Sequence, residues 1–434
     1  MSRLSTWLCG LAVLGALAAC GGGNPAEPAA TAATTTTPDT QARASTAGDG
    51  RAAQLWLEPG GSTVIAAGQT IQLYAAYKAT GSEPYPAYLD ASKLSFSSSA
   101  PQRVQVSASG AVTGQAAGSA TISVAYEGLL RTLTVQVSGT WNEYQVPVPG
   151  QGMRRYAIYS PPQNTRAARP AILSLHGGGG SANIQAATSQ LVKLAQAQNV
   201  FVAFLEGTGA IATFNAGACC GQAATNGVDD VLYVRRVLDH LATQRDVDAS
   251  RVYATGFSNG GMMSHRLACA LADRFAGIAA VGGASGQFDG VGNSYYACTP
   301  ARPIPVLHVH ATNDRNYPYA GGFGDGLSDV NYYGVNATIA DWRARNNVSA
   351  AFTLESFGAS TVCRRHATAA IAGLPSAAVT LCRVDPVDVY DPVNEIVFGG
   401  GHSWPGGVRS PSPSSDTPLQ DFDASAYLWD NLRR

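Results

Sequence analysis

The chain has 434 residues, with 28 Lys and Arg against 29 Asp and Glu, so its formal net charge is −1. This balance, without any Lys/Arg-rich run, excludes electrostatic nucleic-acid binding as the default interpretation. Hydrophobic residues make up 45% of the chain and charged residues 13%, which is typical of globular protein rather than a disordered chain. At roughly 150 residues per domain, we expect two or three domains.

The N-terminus has the pattern of an export signal. Arg3 supplies positive charge, and residues 8–19 form an apolar run shorter than the roughly 20 residues of a membrane-spanning helix. Residues 17–20, Leu-Ala-Ala-Cys, resemble the bacterial lipobox, which implies cleavage before Cys20 and lipidation of its thiol. We therefore predict a signal peptide over 1–19 and a lipid anchor at the cell surface or outer membrane. Ordinary secretion is the alternative.

Two further segments precede the main domain. Residues 20–50 are rich in Ala, Thr and Pro and cannot bury enough apolar area to offset their conformational entropy, so we predict a disordered tether. Residues 51–139 contain short alternating apolar runs separated by Gly, Ser and Pro, which predict a small β-sandwich. The stretch 107–122 resembles a bacterial immunoglobulin-like module. A spacer role is expected, with polymer or glycan binding as the alternative.

Residues 140–434 are long enough for one large domain, in which buried-strand patterns alternate with helical ones. The strand candidates are 171–175, 200–204, 251–255, 278–281, 305–309 and 395–398. The clearest helix covers 227–243, with Asp229 and Asp230 in its first turn, where carboxylates oppose the helix dipole. This order predicts an α/β fold with a doubly wound, mainly parallel sheet.

A sharp strand-to-helix turn is predicted at residues 256–260, Gly-Phe-Ser-Asn-Gly. A serine in such a strained turn needs small residues two positions before and after it, so that strand and helix can approach each other. Gly256 and Gly260 meet this requirement. The pattern therefore predicts Ser258 as a nucleophile, with a packed turn serine as the alternative.

A glycine-rich run follows an earlier strand, at residues 177–180. Glycines let backbone N–H groups point toward the oxyanion of a tetrahedral intermediate, and the residue after the nucleophile supplies a second donor. We expect Gly178 and Asn259 to be these donors, with Gly179 as the second choice for the loop. A merely flexible loop is the alternative.

A nucleophilic serine also needs a general base and a carboxylate, in the chain order serine, acid, histidine. Asp314 follows the strand that ends near His310, and His402 lies in the glycine-rich segment 399–407. Both are expected on loops at the carboxyl edge of the sheet. Structural roles are expected for His265, His308, His310 and His366. Asp314 is preferred as the acid over three loop carboxylates that have no strand directly before them, Asp289, Asp325 and Asp329.

Four segments together resemble the polyhydroxybutyrate depolymerase and feruloyl esterase group of α/β-hydrolases. They are 256–263 (GFSNGGMM), 215–221 (NAGACCG), 228–231 (VDDV) and 401–406 (GHSWPG). The resemblance covers roughly residues 153–434 and implies an α/β-hydrolase with Ser258, Asp314 and His402 as its triad. Ala311 stands where the family usually has Gly. The substrate-binding module that follows many depolymerase domains is absent, which weakens the case for crystalline polyhydroxyalkanoate.

Six cysteines lie within 140–434, and in an oxidising compartment they argue for disulfides. The predicted pairs are Cys363–Cys382, Cys269–Cys298 and Cys219–Cys220, with a crossed arrangement of the last four left open. No Cys/His pair has zinc-ligand spacing, so no metal is expected.

The motifs imply an exported serine esterase that needs no cofactor, acts as a monomer and takes an ester substrate, including an insoluble polymer. A polyhydroxybutyrate-type polyester is favoured, with feruloyl or acetyl esters of plant polysaccharide and aromatic polyester as alternatives. A surface adhesin with an inactive hydrolase domain is an alternative of a different class. The side chains expected to line an acyl or aryl pocket, or else to pack in loop cores, are Trp404, Tyr317, Tyr319 and Phe214.

Overall fold

The computed structural model describes residues 53–78, 87–162, 167–243, 246–326, 329–386, 388–389, 397–398, 400–409 and 416–434. The predicted signal peptide, Cys20 and the predicted tether lie outside these ranges. None of the helices within them combines the length and the apolar character needed to cross a membrane.

The N-terminal part of the described chain is all β. Its strands are β1 (Gln54–Glu58), β2 (Gly61–Ala67), β3 (Thr70–Gln72), β4 (Tyr74–Lys78), β5 (Ala87–Tyr88), β6 (Ser95–Ser98), β7 (Val104–Val106), β8 (Ala111–Gly114), β9 (Gly118–Tyr126) and β10 (Leu129–Val148). Strands β1, β4 and β5 form one sheet and β3, β8 and β7 another. Alternate side chains of these strands form a buried core that includes Ile65, Val104, Ile122 and Leu133.

Strand β10 runs unbroken across the predicted domain boundary at 139/140. Gly139 lies at a register shift of the β10–β2 ladder with φ +72°, and a Cβ there would lie 2.9 Å from the Tyr159 ring. Beyond it, Trp141 stacks on Phe204 with ring centroids 5.4 Å apart. The all-β region and the C-terminal part therefore share one sheet.

The C-terminal part alternates strands and helices. Its strands are β11 (Gly152–Ser160), β12 (Arg169–Leu175), β13 (Phe201–Leu205), β14 (Val247–Phe257), β15 (Gly277–Val281), β16 (Val306–Ala311), β17 (Gly322–Phe323), β18 (Asn331–Tyr332), β19 (Thr353–Phe357), β20 (Thr361–His366), β21 (Val379–Val384), β22 (Asp388–Val389) and β23 (Val397–Phe398). Its helices are α1 (Ala182–Ser189), α2 (Leu191–Gln198), α3 (Gly221–Thr225), α4 (Asp230–Thr243), α5 (Asn259–Ala270), α6 (Val335–Arg345) and α7 (Ala424–Leu432).

Within the described ranges the main sheet has 13 strands, in the order β19-β20-β21-β16-β15-β14-β12-β13-β11-β10-β9-β6, with β2 also paired to β10. Neighbouring strands from β13 to β21 are parallel, and antiparallel strands flank them on both sides. One buried cluster packs α4, α5 and α6 on the sheet, and a second contains α1, α2 and α7. The α/β fold with a doubly wound, mainly parallel sheet is confirmed.

Two sequence expectations change in detail. Of the candidate strand 395–398, only β23 is described, and it pairs antiparallel with β22 instead of joining the main sheet. Helix α4 begins at Asp230, and Asp229 caps it by accepting the N–H of Leu232 at 2.8 Å. The Asp230 side chain turns into the core, where it pairs with Arg154.

Among the residues that the structure describes, the disulfides are the three predicted pairs: Cys363–Cys382, Cys269–Cys298 and Cys219–Cys220. Cys363 and Cys382 face each other across the antiparallel strands β20 and β21. The crossed arrangement of the other four cysteines does not occur.

Candidate active site

The turn between β14 and α5 holds Ser258 in a strained conformation. Its φ is +54° and its ψ −120°, which non-glycine residues rarely adopt. A Cβ added at Gly256 would collide with the backbone of Gly260, and one added at Gly260 would collide with the backbone of Leu175. The two glycines therefore permit the close approach of strand and helix that a nucleophile elbow requires.

Asp314 and His402 are 88 residues apart in the chain, and a hydrogen bond of 2.8 Å joins His402 Nδ1 to Asp314 Oδ2. Asp314 follows β16, and its Oδ1 accepts the N–H groups of Asn316 and Tyr317 at 2.9 and 2.8 Å. Because the Nδ1 proton of His402 points to a carboxylate, the neutral ring carries its lone pair on Nε2. This is the form that a general base requires.

The residue directly before Ser258 packs against His402. The ring of Phe257, directly before the serine, lies 4.7 Å from the His402 ring between centroids. A Cβ at Gly282 would lie 3.1 Å from the Phe257 ring and 3.7 Å from His402 Cε1. Within the described residues, no hydrogen bond joins the Ser258 hydroxyl to His402. Catalytic hydrogen bonds of this kind often tighten only when substrate is bound.

The His402 loop is held in place by backbone contacts. The His402 N–H donates to Asp416 Oδ2 at 2.6 Å, and the N–H of Gly401 donates to Asn313 Oδ1 at 2.8 Å. Gly400 and Gly401 have φ values of +100° and +53°, which suit glycine. These backbone contacts thus hold the His402 imidazole against Asp314.

The charges of this pair follow from burial and contact. Burial opposes ionisation of Asp314, but the charge of His402 and hydrogen bonds from His310 and His402 hold the pKa of Asp314 well below its usual range. Burial lowers the pKa of His402, yet the charge and hydrogen bond of Asp314, helped by Asp416, raise that pKa overall above 6.5. The site therefore pairs an ionised carboxylate with a basic imidazole.

His176 anchors the glycine-rich loop after β12. Its Nε2 accepts the N–H of Gly207 at 2.9 Å, so the ring proton sits on Nδ1 and is donated to the Gly177 carbonyl at 2.6 Å. Burial lowers the pKa of His176 to about 4, which keeps the ring neutral. A Cβ at Gly177 would lie 3.2 Å from Ser258 Cβ, so the anchored loop lies against the nucleophile.

The backbone N–H groups predicted as oxyanion donors differ in whether they already donate a hydrogen bond. The N–H of Gly179, the second choice, donates to the Ala212 carbonyl at 2.8 Å and is occupied. In the part of the chain that the structure describes, the N–H groups of Gly178 and Asn259 have no acceptor. Both are thus available for a developing negative charge.

The Asn259 side chain makes two hydrogen bonds to the backbone of the segment around Phe214. Its Oδ1 accepts the Phe214 N–H at 2.7 Å and its Nδ2 donates to the Phe214 carbonyl at 2.8 Å. The next residue, Asn215, donates its N–H to Asp230 and accepts from Arg266 at its carbonyl. These bonds give the 215–221 motif a physical role, because they fix the segment beside the elbow.

Three of the four aromatic side chains considered for pocket walls are buried. Phe214 is 0% exposed, Tyr317 donates its hydroxyl to a backbone carbonyl at 2.8 Å, and the Trp404 indole donates to Ser425 at 3.0 Å. Tyr319 is only partly buried. The burial of Phe214, Tyr317 and Trp404 fits packing in the interior, and pocket lining stays a prediction for all four side chains.

Two residues near the triad were not anticipated in these roles. Asp416 follows a Pro/Ser-rich stretch that gives no motif, yet it binds the backbone of His402. His310 was expected to be structural, but its Nε2 lies 3.4 Å from Asp314 Oδ2. The available signal in the sequence was that His308 and His310 alternate on one predicted strand and that His310 lies four residues before Asp314.

Comparison with known proteins adds to this geometry. Residues 157–324 match the family described as phospholipase/carboxylesterase. The chain is 36% identical over 245 residues to "Putative esterase NocK" of Nocardia uniformis subsp. tsuyamanensis, covering 55% of this chain and 67% of that protein. It is 33% identical over 185 residues to feruloyl esterase B of Piromyces equi, covering 41% of this chain but only 33% of that protein. An acetyl xylan esterase from Aspergillus awamori superposes with a TM-score of 0.44 at 15% identity, covering 60% of this chain and 94% of that one.

Proposed function

The chain belongs to the phospholipase/carboxylesterase family of α/β-hydrolases and is a serine ester hydrolase, and from this premise we propose that Ser258, His402 and Asp314 form its catalytic triad. The observation that carries the proposal is the 2.8 Å hydrogen bond between His402 and Asp314, beside a serine in an elbow. A chain that hydrolyses esters is not the alternative considered above, a surface adhesin with an inactive hydrolase domain.

In the proposed mechanism, His402 Nε2 takes the hydroxyl proton of Ser258 as the serine oxygen attacks the ester carbonyl. Asp314 holds the His402 tautomer and stabilises the imidazolium that forms. The imidazolium then gives its proton to the leaving alcohol, which leaves an acyl-serine. Water, deprotonated by His402, attacks the acyl carbon, and the carboxylic acid departs as the serine regains its proton.

The tetrahedral oxyanion of both steps is assigned to the N–H groups of Gly178 and Asn259. Support comes from the lack of another acceptor for either N–H among the described residues, and from the anchored loop against Ser258. Donors held in place before the reaction stabilise negative charge without reorganisation, and each is worth roughly 3–4 kcal/mol in the transition state.

For the substrate, the proposed class is a feruloyl or acetyl ester carried by plant polysaccharide. The support is the set of relatives named feruloyl esterase and acetylxylan esterase/xylanase, at 29–37% identity over parts of the chain. The triad itself does not distinguish acyl groups, because every ester presents the same carbonyl to it.

A polyhydroxybutyrate-type polyester is the second candidate. The observation in its favour is the exposed side chain of Ile211, 53% accessible, whose Cγ2 lies 3.6 Å from where a Cβ of Gly179 would be. An apolar side chain at the mouth of the oxyanion loop offers a contact for an aliphatic polymer chain.

The deciding experiment measures product release from methyl ferulate, acetylated xylan and polyhydroxybutyrate film in parallel. Ser258→Ala is the test variant, and Ser250→Ala, on the exposed part of β14, is the matched control. Release of ferulate or acetate by the wild type and S250A, but not by S258A, supports the proposal. Release of hydroxybutyrate without ferulate or acetate selects the second candidate. Undiminished hydrolysis by S258A would remove the triad assignment.

Export and a lipid anchor at Cys20 complete the proposal. The support is the lipobox-like sequence 17–20 together with three disulfides, which persist in oxidising compartments. In a bacterial host fed labelled palmitate, the protein should carry label and Cys20→Ala should not. Equal labelling of the two would contradict the anchor site.

A further inference from the structure

Three fully buried histidines form a continuous hydrogen-bonded row behind Asp314. His265 lies on α5, and His308 and His310 lie on β16, each at most 1% exposed. His265 Nε2 is 3.2 Å from His308 Nδ1, and His308 Nε2 is 3.1 Å from His310 Nδ1. The row is thus connected from its first ring to its last.

The direction of the row is set at its far end by Trp342. The indole N–H, which can only donate, points to His265 Nδ1 at 2.9 Å. His265 must therefore carry its proton on Nε2 and donate it to His308 Nδ1. The same reasoning places the proton of His308 on Nε2, so that His310 also accepts at Nδ1. The Trp342 donor at one end and the Tyr317 carbonyl at the other thus both require the proton on Nε2 of each ring.

The near end of the row reaches the acid of the triad. With Nδ1 accepting, His310 carries its proton on Nε2, which lies 2.9 Å from the Tyr317 carbonyl and 3.4 Å from Asp314 Oδ2. Asp314 Oδ2 accepts from His402, and His310 Nε2 lies beside the same oxygen while it donates to the Tyr317 carbonyl. Tyr317 in turn donates its own N–H to Asp314 Oδ1 at 2.8 Å. The last N–H of the row therefore donates to the loop that carries Asp314, next to the carboxylate itself.

Building on the proposed triad, we propose that His310 is a positioning residue for Asp314. The row from Trp342 through His265 and His308 keeps the His310 N–H directed at the Tyr317 carbonyl, beside the Asp314 carboxylate. Aligned donors polarise one another, so the last N–H of the row is a stronger donor than that of an isolated ring. The carboxylate is thereby held in the orientation that receives His402 Nδ1.

Two other roles for the row fit the contacts less well. A metal site is disfavoured because each nitrogen between neighbouring rings is already used, and the described residues contain no metal-holding group of His, Cys, Asp and Glu. A proton path to solvent is disfavoured because the indole N–H at the far end cannot accept a proton. Burial lowers the pKa of His265 to about 3 and that of His308 well below its ordinary value, so these two rings stay neutral. The two neutral rings therefore pass the hydrogen-bond direction from Trp342 on to His310.

The test compares variants that keep or remove the donor. His310→Gln retains an N–H, whereas His310→Leu has similar bulk without one, and Trp342→Phe removes the donor that sets the direction. His366→Gln is the matched control, a buried histidine on β20 that contacts the Ala351 carbonyl. The readouts are kcat and KM with a p-nitrophenyl ester, and the rate at which a fluorophosphonate labels Ser258.

We expect H310L to lower kcat and the labelling rate roughly tenfold or more with KM nearly unchanged, the scale seen when an outer hydrogen-bond partner is lost. H310Q should recover most of the loss, W342F should lower kcat by a few-fold, and H366Q should match the wild type. Equal losses in H310Q and H310L would show that volume alone matters and would overturn the proposal, as would full activity in H310L.

A second measurement does not depend on variants that fold poorly. Nitrogen-15 NMR of the histidine rings, recorded on Ser258→Ala, should show protons on Nε2 of His265, His308 and His310. A proton on Nδ1 of any of the three would overturn the proposal. Because this spectrum needs no turnover, it separates failure of the row from failure of the proposed triad, which would appear as ester hydrolysis by S258A.

Discussion

Arg154 and Asp230 form an ion pair shut off from solvent, with 2.8 Å between Arg154 Nη2 and Asp230 Oδ1 and side-chain exposures of 5% and 0%. The other carboxylate oxygen accepts the Asn215 N–H at 2.7 Å, and the guanidinium lies 4.0 Å above the Tyr233 ring. The pair therefore connects β11 and α4 to the segment that Asn259 clasps beside the elbow.

Replacing Asp230 by Asn should destabilise the fold, because it leaves the Arg154 charge buried without its partner. The expected loss is about 3–5 kcal/mol in the free energy of unfolding, measured by urea denaturation. Asp239→Asn, which breaks the partly exposed pair with Arg274, should cost no more than about 1 kcal/mol. Equal costs for the two variants would show that the Arg154–Asp230 pair has no special role.

Asp314→Asn should lower kcat by about four orders of magnitude, because an amide favours the wrong His402 tautomer while keeping the shape. Steady-state kinetics with a p-nitrophenyl ester measures the effect, and circular dichroism checks the fold. A loss below about tenfold would mean that another carboxylate serves His402.

The pH dependence of kcat/KM should have an acid limb above pH 6.5, because His402 must be neutral to accept a proton and its pKa is raised. Asp416→Asn removes one negative charge that contributes to this shift, so the limb should move to lower pH. Asp430→Asn, on an exposed turn of α7 paired with Arg433, serves as control and should leave the limb in place. A limb that stays put in D416N, or moves up, contradicts the assignment.

Stability should fall as the solution is acidified below pH 6.5. His176, His265 and His308 have pKa values lowered by burial, so between pH 6.5 and about 4 the unfolded chain binds protons that the folded chain does not. Each such histidine then contributes a loss of up to roughly 1.4 kcal/mol per pH unit. Urea midpoints at pH 7 and pH 5 measure the decline, which His265→Gln should make shallower. The same decline in that variant would assign the effect to other groups.

Removing the Cys363–Cys382 disulfide by double substitution with Ala should cost about 3 kcal/mol. The bridge joins cysteines with a sequence separation of 19. Closing a loop of this length lowers the conformational entropy of the unfolded chain, which stabilises the folded state by about 3 kcal/mol. Thermal unfolding with and without the bridge tests this. Because both cysteines are 0% exposed, brief treatment of the folded protein with a mild reductant should leave the bond intact.

The parts of the fold that follow from local pattern could be predicted from the sequence. Buried apolar runs such as 171–175 identify parallel strands, and the glycines flanking Ser258 identify the elbow, because both depend on neighbouring residues alone. The flanking strands β11 and β19 carry mixed polar and apolar residues, so their pattern is weak. Asp416 escaped prediction because it contacts His402 from 14 positions away, and the full row did because His265 lies 43 positions from His308 and 77 from Trp342.

The direction of the aromatic side chains in loops could not be predicted from the sequence either. Trp404 and Tyr317 occupy loops near the triad, and sequence position alone favours neither pocket lining nor packing. Their burial depends on Ser425 of α7 and on the stacked ring of Tyr332, which lie elsewhere in the chain. Side-chain direction in a loop is a property of the completed fold.

The continuous strand β10 determines how mechanical load would pass through the molecule. A pull on the all-β region, directed along β10, would meet the nine residue pairs that join β10 to β11 in shear, where they resist together. A flexible linker would instead extend and leave the catalytic part slack. An enzyme attached by its N-terminal side to a moving surface would therefore transmit that force into the sheet that carries its nucleophile.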